Sequence, residues 1–180
     1  MAKIPEFIDS NHPYCIQPIF ARGVYSNPDK GVKRGQLVYG SPVLDAYNNQ
    51  TYICYFSKDG QLSHLPIAPR TLSYFTGFYD RNHHRIFQGD IVELLLSTGE
   101  IRRFEVVFCT QKRNIRPLPG FVPGDNWVAL HAVGFRWRNS TLFPSVSEDG
   151  KTIDTQRMLV IGNIFESPGL LDNDGSDLPF

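Results

Sequence analysis

Net charge is the first thing this sequence lacks. Eighteen Lys and Arg stand against eighteen Asp and Glu in 180 residues, which excludes a histone-like or polybasic protein and leaves any attraction to nucleic acid or membrane to a local patch. Long hydrophobic runs are missing too. The longest apolar stretches, Ile91-Val92 and Leu94-Leu95-Leu96 around Glu93, are far short of the roughly 20 residues that cross a bilayer. The N-terminus has no basic region followed by an apolar stretch, so neither membrane insertion nor export is expected. Cysteine is scarce: Cys15, Cys54 and Cys109 are an odd number without metal-ligand or redox spacing, which argues against a disulfide framework and fits a reducing cytoplasm. His12-Pro13-Tyr14-Cys15 offers half a zinc site and no second half. No Gly-x-Ser-x-Gly elbow, Walker loop, His-Glu-x-x-His or dinucleotide fingerprint occurs, so the usual hydrolase, phosphate-binding and zinc-enzyme classes lack their minimal constellations.

Helical periodicity is weak, whereas 15 Gly, 13 Pro and 13% aromatic residues are abundant. That composition describes short strands joined by tight turns, so the fold class is mainly β with little helix. Residues 1–34 are dense in Pro and Gly and read as an irregular N-terminal arm. A small N-terminal β unit is expected over 35–75. Its strands are Gln36 to Tyr39, closed by Gly40-Ser41-Pro42, and Gln50 to Phe56, with Asp59-Gly60 as a hairpin signal. Ile91 to Leu96 and Ile101 to Phe108 form the clearest hairpin, with Phe104, Val106 and Phe108 on one face. Pro117 to Asp125 reads as a loop. Trp127 to Val133 is a further strand, continuing through Phe135 to Trp137 past a bulge at Gly134. Met158 to Ile161 has the apolar character of a central strand, and residues 172–180 read as an acidic flexible tail.

Two segments carry a resemblance. They are Thr76-Gly77-Phe78-Tyr79-Asp80-Arg81-Asn82-His83-His84-Arg85-Ile86-Phe87-Gln88-Gly89-Asp90-Ile91-Val92 and Val160-Ile161-Gly162-Asn163-Ile164-Phe165-Glu166-Ser167-Pro168. Together with Gly35-Gln36-Leu37-Val38-Tyr39-Gly40 they resemble the YopX protein family of bacteriophages and prophages. The chain departs from that family's pattern at Phe78, His84, Leu37 and Ser167, and its N-terminal arm has no counterpart in the resemblance. The resemblance implies a predominantly β fold with a C-terminal Src-homology-3-like or similar small β-barrel over 76–171, packed against the smaller β unit. It also implies an intracellular phage accessory protein without an established enzymatic activity.

The motifs themselves argue for structure. Asp80 and Asn82 lie in a polar turn between apolar flanks, Gly77 belongs to the same structural motif, Gly89-Asp90 opens the strand at Ile91, and Gly162-Asn163 ends the strand that begins at Met158. His83 and His84 are adjacent, so on extended chain they face apart and cannot easily chelate one ion. Asp90 and Glu93 likewise face apart, which gives no carboxylate pair. No catalytic residue, metal site or cofactor is expected.

Charge segregation offers a functional signal. From Arg102 to Arg138 seven basic residues stand against Glu105 and Asp125, a local excess of five. Arg136-Trp137-Arg138 interleaves guanidinium with aromatic ring, a combination that grips phosphate and stacks on bases. Plain alternation gives the same pattern with Trp137 packed inward and the arginines solvated. Arg113, Arg116 and Phe121, in or beside a Pro/Gly-rich loop, are residue types favoured at protein interfaces. The expected function is a non-enzymatic accessory binding protein acting on a host or phage protein in the bacterial cytoplasm, with host-defence antagonism as one version. The alternative is a single-stranded or duplex nucleic-acid-binding module using 102–138. Exposed strand edges leave pairing into a homo-oligomer open.

Overall fold

Alternating apolar and polar residues, broken every few positions by Gly, Pro, Asn or Asp, lead to antiparallel strands and hairpins. The computed structural model describes residues 20–27, 35–57, 59–96, 98–114, 127–146 and 150–171. The first sheet holds β1 (Ala21–Val24), β2 (Leu37–Asp45), β3 (Gln50–Phe56), β4 (Leu62–Ile67), β5 (Ser73–Tyr79) and β6 (Arg85–Phe87), in the order β4-β3-β2-β1-β5-β6. The second holds β7 (Asp90–Leu95), β8 (Ile101–Asn114), β9 (Trp127–Trp137), β10 (Ser140–Leu142) and β11 (Met158–Asn163), in the order β10-β9-β8-β7-β11. The only helical pieces among the described residues are single 3-10 turns at Pro69–Thr71, Asp154–Arg157 and Pro168–Leu170. The protein is mainly β, as its composition requires.

The barrel implied by the resemblance is not formed. Both sheets are open: β10 and β11 are the two edges of the second sheet and do not pair with each other. The first sheet curls instead. Tyr25 bridges Ile67, and the amides of Ala68 and Ser26 donate to the carbonyls of Val24 and Pro66 at 2.9 and 3.1 Å. One bridge tethers the sheet's far strand to β1 without completing a ladder.

Several element boundaries differ from the sequence reading for identifiable reasons. Residues 21–24, expected within an irregular arm, form β1 between β2 and β5, with Ala21 and Arg22 buried. The strand expected to stop at Gly40-Ser41-Pro42 runs through to Asp45 because β2 changes partner there: 37–40 pair with β1 and 41–45 with β3. Pro42 lies where only β3 is bonded, so its missing donor costs no second ladder bond. Gly40 sits at the crossover, where a Cβ would fall 2.1 Å from the Cys54 carbonyl oxygen. At Gly134 there is no bulge. The β8–β9 register continues through Val107↔Gly134, and the glycine leaves room for Thr141 of β10. β11 is an edge strand rather than a central one.

Two apolar clusters result. Ala21, Tyr25, Val38, Ile53, Tyr55, Leu65 and Ile67 fill the curl of the first sheet. Ile86, Val92, Leu94, Phe104, Val106, Phe135 and Met158 fill the second core. Each fully buried side chain of this size contributes roughly 1.5–3 kcal/mol. Ile86 belongs to β6 of the first sheet, so that strand puts its side chain into the core of the second. The position 75/76 lies inside β5.

Candidate functional site

The longest motif begins at Thr76, and its residues serve to join the two sheets. Asp80 is buried, and its carboxylate accepts from the amides of Asn82 and His84, both at 2.8 Å. The other oxygen accepts from the Val160 amide at 3.1 Å and lies 3.4 Å from His84 Nδ1. The Arg81 amide donates to the Met158 carbonyl at 2.9 Å. One turn therefore covers part of the edge of β11. Asn82 takes part through its backbone, and His83 adopts a left-handed φ of 62°. Gly77 has a φ of 85°, at the irregularity between the two β5–β6 pairings.

Gly89 is the second joint. Its φ of 78° is left-handed, a region open to glycine and strained for a β-branched residue. Its amide donates to the Val106 carbonyl at 2.8 Å, and its own carbonyl accepts from the Ile164 amide at 2.9 Å. Gly162 lies at the β7–β11 register shift, where a Cβ would approach Leu170 to 2.8 Å. Asn163 closes the strand: its side-chain oxygen accepts from the amides of Phe165 and Glu166, both at 3.0 Å, and its side-chain nitrogen donates to Glu166 at 2.6 Å.

Asp90 does more than cap a turn. Its Oδ2 accepts from the Phe87 amide at 2.7 Å, and its Oδ1 lies 2.5 Å from Arg22 Nη2. The side chains of Arg22 and Asp90 retain 5% and 1% of their exposure, so the pair is buried between β1 and the start of β7. Burial pushes the Asp90 carboxyl above the ordinary carboxylate range, while the Arg22 charge, the next strongest influence, opposes it. Burial also raises Tyr39, again against Arg22. Arg22 was missed in the sequence. The available signal was a single charge between Ala21 and Gly23 in an otherwise apolar stretch, which foretells a buried partner without naming it.

The residues expected to bind a partner do not form one patch. Arg116 and Phe121 lie outside the described residues. Arg113 is opposite Val128 near the far end of the β8–β9 pairing, whereas Arg136 is opposite Glu105. Eight residues along β9 separate these levels, roughly 27 Å at about 3.4 Å per residue. Arg136 is exposed and reaches Glu105 at 2.5 Å. Trp137 packs against the second core, and the guanidinium carbons of Arg102 and Arg138 lie 4.5 and 4.9 Å from its ring centre. Arg102 also pairs with Glu100 at 2.8 Å, and Arg103 with Glu93 at 3.3 Å. Much of the local basic excess is thus met by acids in the turn before β8 or on a neighbouring strand. No three or more His, Cys, Asp or Glu gather as metal ligands among the described residues.

What the sequence under-read is the length of the β8–β9 pairing. β7 pairs with β8 only as far as Glu105, and β10 with β9 only as far as Phe135. The ladder nevertheless continues from Val107↔Gly134 to Asn114↔Trp127. These eight pairs form a two-stranded ribbon roughly 24 Å long, with no further strand on either side among the described residues. Phe108 is 42% and Leu130 40% exposed on opposite faces, amid exposed Thr110, Lys112 and His131. A ribbon with open edges and apolar side chains is a form used to engage another chain by strand addition or by side-chain docking.

Fold and site together define a two-sheet, mainly β protein with a projecting ribbon, its sheets held by an Asp- and Gly-based joint and a buried ion pair. The chain belongs to the YopX protein family, whose model matches residues 41–172. Arg22, and with it β1, lies outside the matched segment. No curated protein matches the chain. No helix among the described residues is long and apolar enough to cross a membrane.

Proposed function

We propose that this protein is a non-enzymatic accessory binding module of phage or prophage origin, acting on a host or phage protein inside the bacterial cell, and that the β8–β9 ribbon is its docking element. The observation that carries this reading is the ribbon itself: a hairpin extended well beyond its sheet, with Phe108 and Leu130 turned to solvent. A strand pair that served only the core would end where β7 and β10 end. A protein partner fits better than nucleic acid because Arg102, Arg103 and Arg136 are already paired with carboxylates, which reduces the free positive field that phosphate binding requires. Antagonism of a host defence protein is one role such a module could fill.

The test is affinity purification of the full chain from infected cells, with nuclease treatment, beside a Phe108→Ser, Leu130→Ser double variant. The partner is expected to survive nuclease and to disappear from the variant, while the melting temperature stays close to that of the parent. Recovery of the same partner by both proteins removes the ribbon from the reading. The nucleic-acid reading rests on the Arg136-Trp137-Arg138 stretch, in which the Arg138 guanidinium lies over the Trp137 ring. It predicts salt-sensitive retention on DNA or RNA that Arg136→Ala with Arg138→Ala abolishes.

A further inference from the structure

Backbone groups alternate along a strand: residues two apart turn their N–H and C=O to the same edge, and the residue between them turns its pair to the other. In β8 the even-numbered residues face the β7 side. The Leu96 amide donates to the Glu100 carbonyl at 2.8 Å, and the Val106 carbonyl accepts from the Gly89 amide at 2.8 Å. β7 pairs no further than Glu105, so Phe108, Thr110 and Lys112 each direct a donor and an acceptor to an edge along which no strand lies among the described residues. Cys109 and Gln111 turn theirs the other way, to Ala132 and Leu130 of β9.

The side chains along this edge set its chemistry. Phe108, Thr110 and Lys112 share one face of the ribbon, and all three are exposed. Across the two ribbon strands, Val106 to Asn114 and Trp127 to Phe135, the sequence holds the bases Lys112 and Arg113 and no acid. An unpaired edge invites another chain. Charge of one sign disfavours a second copy of the same edge and favours a segment of opposite sign.

We propose that the β8 edge from Phe108 to Lys112 takes up an extended acidic segment of a partner protein as an added strand, a mode that rests on the ribbon being the docking element. A polypeptide supplies both the acceptors and the donors that this edge calls for, whereas a phosphate backbone supplies acceptors alone. In an added strand the residues opposite Phe108 and Lys112 lie on one face, four positions apart. The partner segment is therefore expected to carry an apolar residue and a carboxylate at that spacing.

Amide hydrogen exchange of the full chain, followed by NMR, tests this with a short threonine-rich peptide that carries a valine and a glutamate four positions apart. At saturation the peptide is expected to slow exchange at Phe108, Thr110 and Lys112 by about tenfold or more and to leave Cys109 and Gln111 unchanged. Replacing its glutamate by lysine, or N-methylating it along the bonding edge, should remove the effect. Thr110→Pro deletes one outward donor without touching the β9 ladder, so it should melt close to the parent and lose the protection at Phe108 and Lys112. Should that variant not fold, the N-methylated peptide makes the same test. The proposal is overturned if the peptide protects none of the three amides, if the lysine and N-methylated peptides protect them equally, or if a single-stranded oligothymidylate protects them at lower concentration. A doubled mass in solution with those amides protected before any peptide is added assigns the edge to a second copy and overturns it as well. Loss of the cellular partner from Phe108→Ser, Leu130→Ser, without protection by the peptide, removes strand addition and leaves the ribbon as the docking element.

Discussion

At the residue scale the Arg22–Asp90 pair decides most. Taking one charge away from a buried pair leaves the other uncompensated, at a cost of about 3–5 kcal/mol. Arg22→Met is therefore expected to lower unfolding stability by that order in a denaturant melt. Arg22→Met with Asp90→Asn should cost less than the sum of the two single changes, and a double-mutant cycle measures the difference. The pair also sets a pH dependence. Unfolded, the Asp90 carboxyl titrates near its ordinary value of 3.8; folded, burial raises it. Between those values the folded chain holds a proton that the unfolded chain has released, so this group's contribution to stability falls as pH rises through the folded pKa. Denaturant midpoints recorded from pH 4 upward should show that slope in the parent and lose it in Asp90→Asn.

At the element scale the joints around Asp80 and Gly89 matter more than any single strand. Asp80→Ala removes the charged acceptor of the amides of Asn82, His84 and Val160, at about 1.5–3 kcal/mol for a hydrogen bond to a charged group. Gly89→Val places a β-branched residue at a φ of 78°, with its Cβ about 3.3 Å from Ile164. A strained backbone position costs about 1–3 kcal/mol, so a melting temperature unchanged from the parent would contradict the joint. The turn at 80–84 and the start of β7 were legible in the sequence because Asp, Asn and Gly have narrow local preferences. The β8–β9 ribbon was less so. Its hydrophobic pattern fades after Phe108, and only the pairing register shows that Cys109 through Asn114 remain strand. The switch of partner along β2 was hidden for a related reason: Gly40-Ser41-Pro42 is a local signal for a stop, and the close passage of β3 overrides it.

At the scale of the whole molecule the two sheets are one cooperative structure by their contacts. Ile86 of β6 sits in the second core, Asp80 bonds β11, Gly89 bonds β8, and Arg22 of β1 pairs with Asp90 of β7. A single unfolding transition, coincident by far-ultraviolet circular dichroism and by tryptophan fluorescence, is the expected behaviour. A fragment starting at residue 76 lacks Arg22 and the first half of β5, and is expected to lose that cooperative melt.

Local chemistry alone determined that this chain is built of strands, where its tight turns fall, and which family it joins, because turn residues and alternation act over a few neighbours. Only the tertiary structure decided that the sheets stay open, that β1 belongs among them, that Arg22 meets Asp90, and that a ribbon reaches beyond its sheet. Those outcomes depend on pairings between residues far apart in sequence, and no local preference encodes which distant strand or charge a residue will meet.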